Sequence, residues 1–255
     1  MVVNRSVILV MQTINRLLKE AVMGQIPSTA WRMPVTVDVV ALTIADGQLN
    51  VLLVDRGIEP YQGQQALPGG FVLEGEGLEA AARRELAEET SLRPSHLEQL
   101  RSYGPLGRDP RGPVLTVAHL VVLPTSIAPC PGGDAGAARW TPVESVPDLA
   151  FDHTQILADG VERLRAKLEY SPLATAFCAE VFTIADLRAV YEAVWGVALE
   201  QRNFHRKITG TPGFLEATGE LRTTGPGRPA ELFRRVPGLS PWAAVLYPPI
   251  LRPTP

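Results

Sequence analysis

The segment RRELAEET, residues 83–90, places three glutamates beside two arginines. A helix turns by about 100° per residue, so a helix over this segment would carry carboxylates and apolar side chains on the same side. That side holds Leu78, Ala81, Ala82, Glu85, Leu86 and Glu89, while Arg83, Ala87 and Thr90 face the opposite way and Glu88 lies at the margin. Carboxylates that face a core need a chemical reason to be there.

Two ionised carboxylates that face an apolar layer destabilise the fold unless a positive group meets them. Arg84 can reach one of them. A hard divalent cation, Mg²⁺ or Mn²⁺, can meet both, because carboxylate oxygen is the ligand that such cations prefer. The competing interpretation is a solvated helix face held by ion pairs between residues four apart.

The residues around this helix resemble the Nudix box, which favours the metal site. Gly70 is followed after five residues by Glu76, and after seven more by the run RELAEE, residues 84–89. The segment WTPVESVPDLAFDH, residues 140–153, is also similar to the strand and turn that follow the box in many Nudix domains. Such a long pattern is far more specific than an acidic run alone.

The resemblance implies roles for individual residues. Glu85 and Glu89 are expected to bind the metal ion, with Glu88 as a third ligand or as the base and the Gly69 carbonyl as a further ligand. The implied chemistry is hydrolysis of a nucleoside diphosphate linked to another group, in which metal ions neutralise the pyrophosphate and a carboxylate assists the attacking water.

Glu76 is expected to pair with Arg84 and so to hold the preceding loop on the helix. One position departs from the family pattern, which has Gly directly after the helix where this chain has Ser91. Gly stops a helix there with a positive φ, a conformation that Ser adopts less easily. The geometry of this turn, and with it hydrolase activity, is therefore left open.

Two arginines in GRDPRG, Arg108 and Arg111, lie between two predicted strands. Guanidinium groups match phosphate oxygens, so both residues, together with Gly70, are candidate nucleotide contacts. The alternative is a pair of surface arginines on a hairpin loop. Asp152 and His153 are candidates for catalysis, although we favour a buried capping pair.

The C-terminal part of the chain is basic, with seven Lys or Arg and three acidic residues from Arg202 to Arg235. Candidate DNA-binding residues on the third predicted helix of this part are Arg202, Asn203, Arg206 and Lys207. Asn and Arg side chains read adenine and guanine edges in the major groove. Arg228, in TTGPGRPA, resembles the core of an AT-hook, which enters a narrow minor groove, and phosphate contacts are expected from Arg222, Arg234 and Arg235.

The elements that must position these residues follow an α+β pattern with a mixed sheet, which for a Nudix domain is an α/β/α sandwich. Predicted elements are a hairpin over residues 35–44 and 48–57, a loop at 60–70, the helix from Leu78 to Thr90, strands within 97–107 and 113–124, a loop at 125–137, and a helix from Ile156 to Leu168. After Tyr170 a helix beginning in SPLATAFC, two further helices and a hairpin follow, which is the order of a winged helix-turn-helix. The second of these helices has a predicted capping box, Thr183 with Asp186, and ends at Gly196.

Composition limits the classes of function. A net charge of −3 indicates neither nucleic-acid nor membrane binding for the chain as a whole, so a basic surface must be local. Cys130 and Cys178 lack metal-ligand spacing and are expected to be isolated thiols in a reducing cytoplasm. No apolar run is long enough to span a bilayer.

Four segments are predicted. They are an N-terminal extension at 1–33, a Nudix domain at 34–168, a winged-helix DNA-binding domain at 169–238 and a Pro-rich tail at 239–255. For the extension two interpretations stay open. It forms an amphipathic helix, or it is a dispensable product of an upstream start codon, because Met33 precedes the first strand.

Residues 34–236 together resemble the NrtR family of Nudix-related transcriptional regulators. The more diagnostic part is the second half, with LEYSPLATAFCAEVFTIADLRAVYEAVWGVALEQRNFHRKI and GRPAELFR. The resemblance implies a homodimeric repressor of NAD-metabolism genes that binds double-stranded operator DNA and senses ADP-ribose or a related nucleotide. A second interpretation is a Mg²⁺-dependent ADP-ribose pyrophosphatase whose C-terminal domain is structural or packs in a dimer. A third is a catalytically silent scaffold that binds nucleotide and a protein partner.

Overall fold

A computed structural model of the chain describes residues 32–94, 96–124, 132, 135–223, 229–243 and 250–253. Residues 34–255 belong to one compact unit. The predictions for the N-terminal extension, for Cys130, for Arg228 and for much of the Pro-rich tail lie outside the described residues. None of the helices in the described part is long and apolar enough to cross a membrane.

Along the first two thirds of the chain, a group of four strands and a group of three strands each precede a long α-helix. The strands are β1 Val35–Ala45, β2 Gln48–Arg56, β3 Gln65–Ala66, β4 Gly69–Phe71, β5 Glu98–Tyr103, β6 Leu115–Val122, β7 Ala135–Pro142, β8 Leu215–Arg222 and β9 Ala230–Arg235. The α-helices are α1 Leu78–Thr90, α2 His153–Tyr170, α3 Ile184–Trp195 and α4 Gln201–Thr209, and short 3-10 helices cover Val143–Ser145 and Pro172–Phe177.

A seven-stranded mixed sheet forms the centre of the first domain, with the path β3-β2-β1-β6-β5. Strand β4 pairs with β1, and β7 pairs with β2. The central pair β1 and β6 is parallel, whereas the other pairs are antiparallel. A parallel central pair usually has layers on both faces, which explains why both strands are almost continuously buried.

Alternate residues of β1 enter two different cores, because successive side chains of a strand point to opposite faces. On one face, Val39 and Ala41 pack in a cluster with Ala82 and Leu86 of α1. On the other face, Val40 and Leu42 share a cluster with α2 residues such as Ile156. The α/β/α sandwich with a mixed sheet is therefore confirmed.

Helix α1 has the predicted bounds, but its buried side extends one residue further than predicted. Thr90 is fully buried, so the prediction that it faces away from the core was wrong. It follows Leu86 by four residues and continues the same stripe. Its hydroxyl tolerates burial because it donates a hydrogen bond to the carbonyl of Leu86.

Four element predictions differ from the structure. The predicted loop before α1 contains β3 and β4, which are too short to show a period and exist through pairing with β2 and β1. Helix α2 begins at His153 rather than at Ile156, β7 begins at Ala135 inside the predicted 125–137 loop, and SPLATAFC forms a 3-10 helix instead of an α-helix. Pro172 fixes the start of that 3-10 helix but donates no backbone hydrogen bond.

The C-terminal domain contains the predicted helices and wing. Thr183 and Asp186 form a reciprocal capping box at the start of α3, and Gly196 ends the helix with a φ of 70°. Helix α4 follows, and β8 and β9 form an antiparallel hairpin. Phe182 pairs with Phe233 of β9, which ties the wing to the start of α3.

One hydrophobic cluster runs through both domains without interruption. Leu164 and Leu168 on α2 belong to the same cluster as Leu187 and Tyr191 on α3 and Phe204 on α4. The two domains are therefore joined by a common core as well as by the chain.

Candidate functional site

A cavity of about 430 Å³ opens between α1, the ends of β2 and β4, and the start of α2. Its charged and aromatic lining consists of Asp38, Asp55, Arg56, Phe71, Glu85, Glu88, Glu89, Arg108, Asp109, Arg111, Phe151 and His153. The glutamates of α1 form an acidic wall, and arginines, aspartates and aromatic rings line the rest of the cavity. This volume and this mixture of groups suit a small polar ligand.

The acidic wall is formed by two carboxylates that point from α1 toward the glycines of β4. Glu89 accepts a hydrogen bond of 3.0 Å from the Gly69 N–H. A Cβ atom at Gly70 would lie 2.3 Å from Oε1 of Glu85, so only glycine leaves room for this carboxylate. The predicted inward orientation of Glu85 and Glu89 is thus present in the structure.

Burial makes these two carboxylates unusually basic. Burial raises the pKa of Glu89 to about 8, although the bond from Gly69 acts in the opposite direction. Burial also raises the pKa of Glu85, against the lowering effect of Arg84. Such shifts mark charge that the protein itself does not compensate, which is a property of ligand-binding sites.

Arg84 organises the outer edge of the acidic wall. Its Nε lies 2.9 Å from Glu76, and its Nη1 lies 2.8 Å from Glu85 and 3.2 Å from Glu88. Glu76 in turn accepts a hydrogen bond of 3.0 Å from the Leu73 N–H. The predicted pairing of Glu76 with Arg84 is present, and it fastens the preceding loop to α1.

The acidic wall offers two oxygen donors to a divalent cation. Among the described residues, no three His, Cys, Asp or Glu side chains converge on one point, and Glu88 is directed toward Arg84. Glu85 and Glu89 supply hard oxygen donors beside Gly69. Mg²⁺ is usually held by one or two carboxylates, with waters and ligand phosphates completing its shell. The two inward carboxylates fit that mode of binding, and a ligand role for Glu88 or for the Gly69 carbonyl remains a prediction.

The helix end that Ser91 put in doubt has the geometry that Gly would provide. Ser91 adopts φ 63° and ψ 7°, in the left-handed region, and its N–H bonds to the Ala87 carbonyl. The turn is therefore formed despite the strain of about 1 kcal/mol that a side chain adds in this region.

The two arginines of GRDPRG both line the cavity, but in different states. Arg108 is almost fully buried and lies between Asp152, at 2.8 Å, and Asp38, at 3.1 Å. Arg111 is more exposed and pairs with Asp109 at 2.7 Å. Both positions are compatible with phosphate contact, although Arg108 would have to share or exchange a carboxylate partner.

Asp152 and His153 do not form the predicted capping pair. Asp152 occupies the N-cap position of α2 with φ −98° and ψ 18°, outside the extended conformation of a capping residue. Its side chain makes no cap hydrogen bond, and its carboxylate binds Arg108 instead. His153 accepts a hydrogen bond from the Leu67 N–H at Nδ1, and its Nε2 lies 3.3 Å from Asp38. Burial alone would raise the pKa of Asp38, but His153 and Arg108 hold it below its usual range.

Sequence reasoning missed the aromatic part of the cavity. The guanidinium of Arg56 lies 4.7 Å from the centre of the Phe151 ring, and Arg111 approaches Phe71 and Phe151 at 5.5 and 5.8 Å. Tyr61 meets the Phe151 ring edge-on at 4.8 Å. These residues are far apart along the chain, and only Arg111 was a candidate contact, so their convergence becomes evident only in the folded structure. Rings and guanidinium planes are the groups on which a purine base stacks.

The predicted DNA-binding residues of α4 lie on its accessible side. Arg202, Asn203 and Arg206 are exposed and Lys207 is half-buried, while Phe204 and Ile208 face the core. Arg206 donates a hydrogen bond of 2.8 Å to the Asn203 side chain. The helix therefore presents a basic, hydrogen-bonding surface and buries the opposite face.

The wing arginines are held by neighbours within the domain. Arg222 pairs with Asp186 at 2.7 Å, and Arg234 pairs with Glu216 at 3.1 Å. Arg235 donates a hydrogen bond of 3.3 Å to Thr175. Phosphate contacts from these residues remain predictions, and such contacts would compete with the partners seen here.

Comparison with known proteins accounts for both halves of the chain. Residues 32–162 match the NUDIX domain, and residues 175–235 match the NrtR DNA-binding winged helix domain. The ADPR responsive transcriptional repressor NtrR of Acinetobacter baylyi is 33% identical over 221 residues, which cover 85% of this chain and 88% of that protein.

Two solved structures from Shewanella oneidensis are similar to this chain. NrtR complexed with a 27mer DNA is 35% identical, covers 86% of this chain and 98% of its own, and superposes with a TM-score of 0.69. The NUDIX domain of the same NrtR, complexed with ADP ribose, is 37% identical, with a TM-score of 0.51, and covers 57% of this chain and 97% of its own. With both domains matched in order and a relative aligned over most of its length, this chain belongs to the NrtR family.

Proposed function

We propose that this protein is a homodimeric transcriptional repressor that binds double-stranded operator DNA through its winged helix and responds to ADP-ribose or a related nucleotide. The observation that carries the proposal is the presence, on one common core, of a cavity suited to a nucleoside diphosphate and of an exposed basic helix, α4. A DNA-reading domain fused to a small-molecule cavity is the composition of a ligand-controlled regulator.

The cavity offers separate places for the chemical parts of ADP-ribose. Glu85 and Glu89 would hold Mg²⁺ or Mn²⁺, which neutralises the diphosphate when bound. Arg111 and Arg108 line the same cavity and would contact phosphate oxygens. The Phe151 ring would provide a stacking surface for adenine. The support for this arrangement is that the glutamates, both arginines and the Phe151 ring all line one cavity.

The DNA surface is assigned to α4 and the wing. Arg202, Asn203 and Arg206 would enter the major groove, where Arg and Asn recognise guanine and adenine. Lys207 and the wing, including Arg222 and Arg228, would contact phosphates and the minor groove. A homodimer would place two such units on two half-sites, as helix-turn-helix proteins commonly do.

We infer from membership of the family that the protein acts in the bacterial cytoplasm on genes of NAD synthesis and use. For a nucleotide to control repression, it must bind the DNA-free arrangement more tightly than the DNA-bound one. Release of DNA by ADP-ribose is therefore the expected response.

Fluorescence anisotropy with a duplex from the gene's own upstream region tests the regulator. Arg206→Ala and Arg228→Ala should weaken DNA binding, whereas Arg93→Ala, which removes the same charge from an exposed site on the NUDIX domain, should not. Glu85→Gln should bind DNA normally but should lose its response to ADP-ribose with Mg²⁺. Absence of DNA binding by the wild type at low salt would refute the proposal.

A second candidate function is hydrolysis of ADP-ribose, either alongside regulation or in place of it. Two observations favour it: the box carboxylates are in place with the Glu76–Arg84 pair, and Ser91 has the left-handed geometry of the usual glycine. Incubation with ADP-ribose and Mg²⁺ should then release AMP, and Glu89→Gln should abolish the release. Wild type that releases no AMP, or Glu89→Gln that releases as much as wild type, would remove this candidate.

A further inference from the structure

Helix α2 is shared by the nucleotide cavity and the winged helix. Its 18 residues span about 27 Å at about 1.5 Å per residue. Its first residue, His153, lines the cavity, as does Phe151 just before it. Its last turns lie against α3 in the core that both domains share. A movement of this helix at one end would therefore be felt at the other.

At the cavity end of α2, the Asp152 carboxylate has two competing partners, the helix N–H groups and Arg108. Asp152 stands at the N-cap, where Asp is among the best residues for accepting hydrogen bonds from the first helical N–H groups. Its side chain makes no such bond and instead accepts bonds of 3.1 and 2.8 Å from Nε and Nη2 of Arg108. Arg108 lines the cavity, whereas Asp152 is not among the lining residues. The arginine thus links the ligand space to the helix end.

The opposite end of α2 is held to α3 by three hydrogen bonds, each from a side chain of one helix to a backbone carbonyl of the other. The Tyr191 hydroxyl donates to the Leu168 carbonyl at 3.1 Å, and Trp195 Nε1 donates to the Arg165 carbonyl at 3.1 Å. Arg165 returns a bond of 3.0 Å to the Val194 carbonyl. Because α3 belongs to the winged helix, these bonds make it follow the last turns of α2.

Between its two ends, α2 touches the sheet most closely at a glycine. A Cβ atom at Gly160 would lie 2.8 Å from Val40 Cγ1 on β1, so only glycine permits this approach. A rigid helix held closely at its middle can tilt about that point, which moves its two ends in opposite directions.

We propose that Asp152 couples nucleotide binding to DNA binding by exchanging its partner. This proposal rests on the function proposed above. The diphosphate of the nucleotide competes with Asp152 for the guanidinium of Arg108. The Asp152 backbone, with ψ at 18° in the present structure, turns to the extended conformation of a capping residue, and the released carboxylate caps the first turn of α2. This change at the start of the helix tilts the helix about Gly160. The hydrogen bonds of Tyr191 and Trp195 carry that tilt into the winged helix and away from the geometry that fits the operator.

Two substitutions of Asp152 should change the DNA affinity in different ways. Asp152→Asn removes the charge that holds Arg108 but keeps an N-cap of similar quality, so its DNA affinity without nucleotide should fall toward the nucleotide-bound value of the wild type. Asp152→Ala removes both the carboxylate that binds Arg108 and the side chain that would cap α2, so the DNA affinity of this variant should no longer depend on nucleotide. Asp148→Asn, at an exposed position in the same segment, is the matched control.

The experiment measures the Kd for upstream duplex DNA by anisotropy, with and without ADP-ribose and Mg²⁺, and the Kd for ADP-ribose by calorimetry. In the wild type, ADP-ribose should change the affinity for DNA by about 5- to 150-fold, as effectors do in other allosteric proteins. In Asp152→Ala this change should fall to within about twofold, while ADP-ribose still binds. Tyr191→Phe, which loses only the distant hydrogen bond, should also respond less and should leave the Kd for ADP-ribose unchanged.

The outcomes separate this inference from the function on which it rests. A wild type whose DNA affinity ignores ADP-ribose overturns both. A responsive wild type accompanied by an equally responsive Asp152→Ala overturns the coupling alone. If Asp152→Ala does not fold, Asp152→Asn and Tyr191→Phe decide, and a wild-type response in both overturns the coupling.

Discussion

Replacement of Glu89 by Gln should reveal how much stability the metal-free protein loses by burying this carboxylate. Burial raises the pKa of Glu89 to about 8 in the folded protein, against an ordinary value near 4.5. Between these two pH values the folded state keeps a proton that the unfolded chain has lost. The free energy of unfolding therefore falls as pH rises through this window and is unaffected below it.

The magnitude follows from the size of the shift. One pKa unit corresponds to about 1.4 kcal/mol, and relaxation of the carboxylate toward water in the cavity reduces the full value, so we expect about 2 to 4 kcal/mol at pH 8. Gln keeps the shape and still accepts a bond from Gly69, but it does not ionise. In EDTA, Glu89→Gln should be more stable than wild type at pH 8 by about this amount, and equal to it near pH 4.5.

Magnesium should offset most of this loss of stability in the wild type. A cation bound at the carboxylates favours the ionised form, and a ligand at 100 times its Kd stabilises the folded state by about 2.7 kcal/mol. Urea unfolding at pH 4.5, 6.5 and 8, with EDTA or with Mg²⁺, measures both effects. The gain from Mg²⁺ should grow with pH in wild type and should be absent in Glu89→Gln.

Glu79→Gln provides the control on the same helix. Glu79 is exposed and pairs with Arg83, and this pairing lowers its pKa, so its replacement should leave the response to Mg²⁺ unchanged. The reasoning fails if the stability difference between wild type and Glu89→Gln in EDTA does not change from pH 4.5 to pH 8. It also fails if Mg²⁺ stabilises both proteins equally.

Three further predictions concern single side chains. Gly70→Ala should weaken Mg²⁺ binding by about 10- to 100-fold in calorimetry, because the new Cβ would displace the Glu85 carboxylate. Ser91→Gly should raise the free energy of unfolding by about 0.5 to 1 kcal/mol, since it relieves a left-handed serine; an unchanged melting temperature would contradict this. Arg222→Ala should reduce DNA affinity less than Arg206→Ala in anisotropy, because Asp186 already neutralises Arg222, and an equal loss would indicate that the pair opens on DNA.

Local signals in the sequence were sufficient where the structure depends on neighbours along the chain. The bounds of α1, the capping box of Thr183 and Asp186, and the stop at Gly196 depend on residues three or four apart, and all were predicted. The inward orientation of Glu85 and Glu89 also follows from helical spacing. The assignment of this helix to a metal site came from the resemblance to the Nudix box.

Contacts between distant segments could not be predicted in this way. Arg56 and Phe151 meet across 95 positions, and the Arg108 carboxylate cluster joins β1, a loop and the start of α2. Asp152 shows the limit most clearly, since a residue at an N-cap is expected to bond to its own helix. Here a buried guanidinium offers a stronger, charged partner, and tertiary contact overrides the local preference.

Because the two domains share a core, the folded state of each domain depends on the other. Leu164 and Leu168 on α2 lie in the same cluster as Tyr191 on α3. Unfolding of the NUDIX domain would therefore remove packing contacts that stabilise the winged helix. A nucleotide held some distance away would then protect the DNA-reading part from proteolysis, even though it never touches that part. If the proposed function holds, loss of the nucleotide would thus alter the lifetime of this protein as well as its occupancy on DNA.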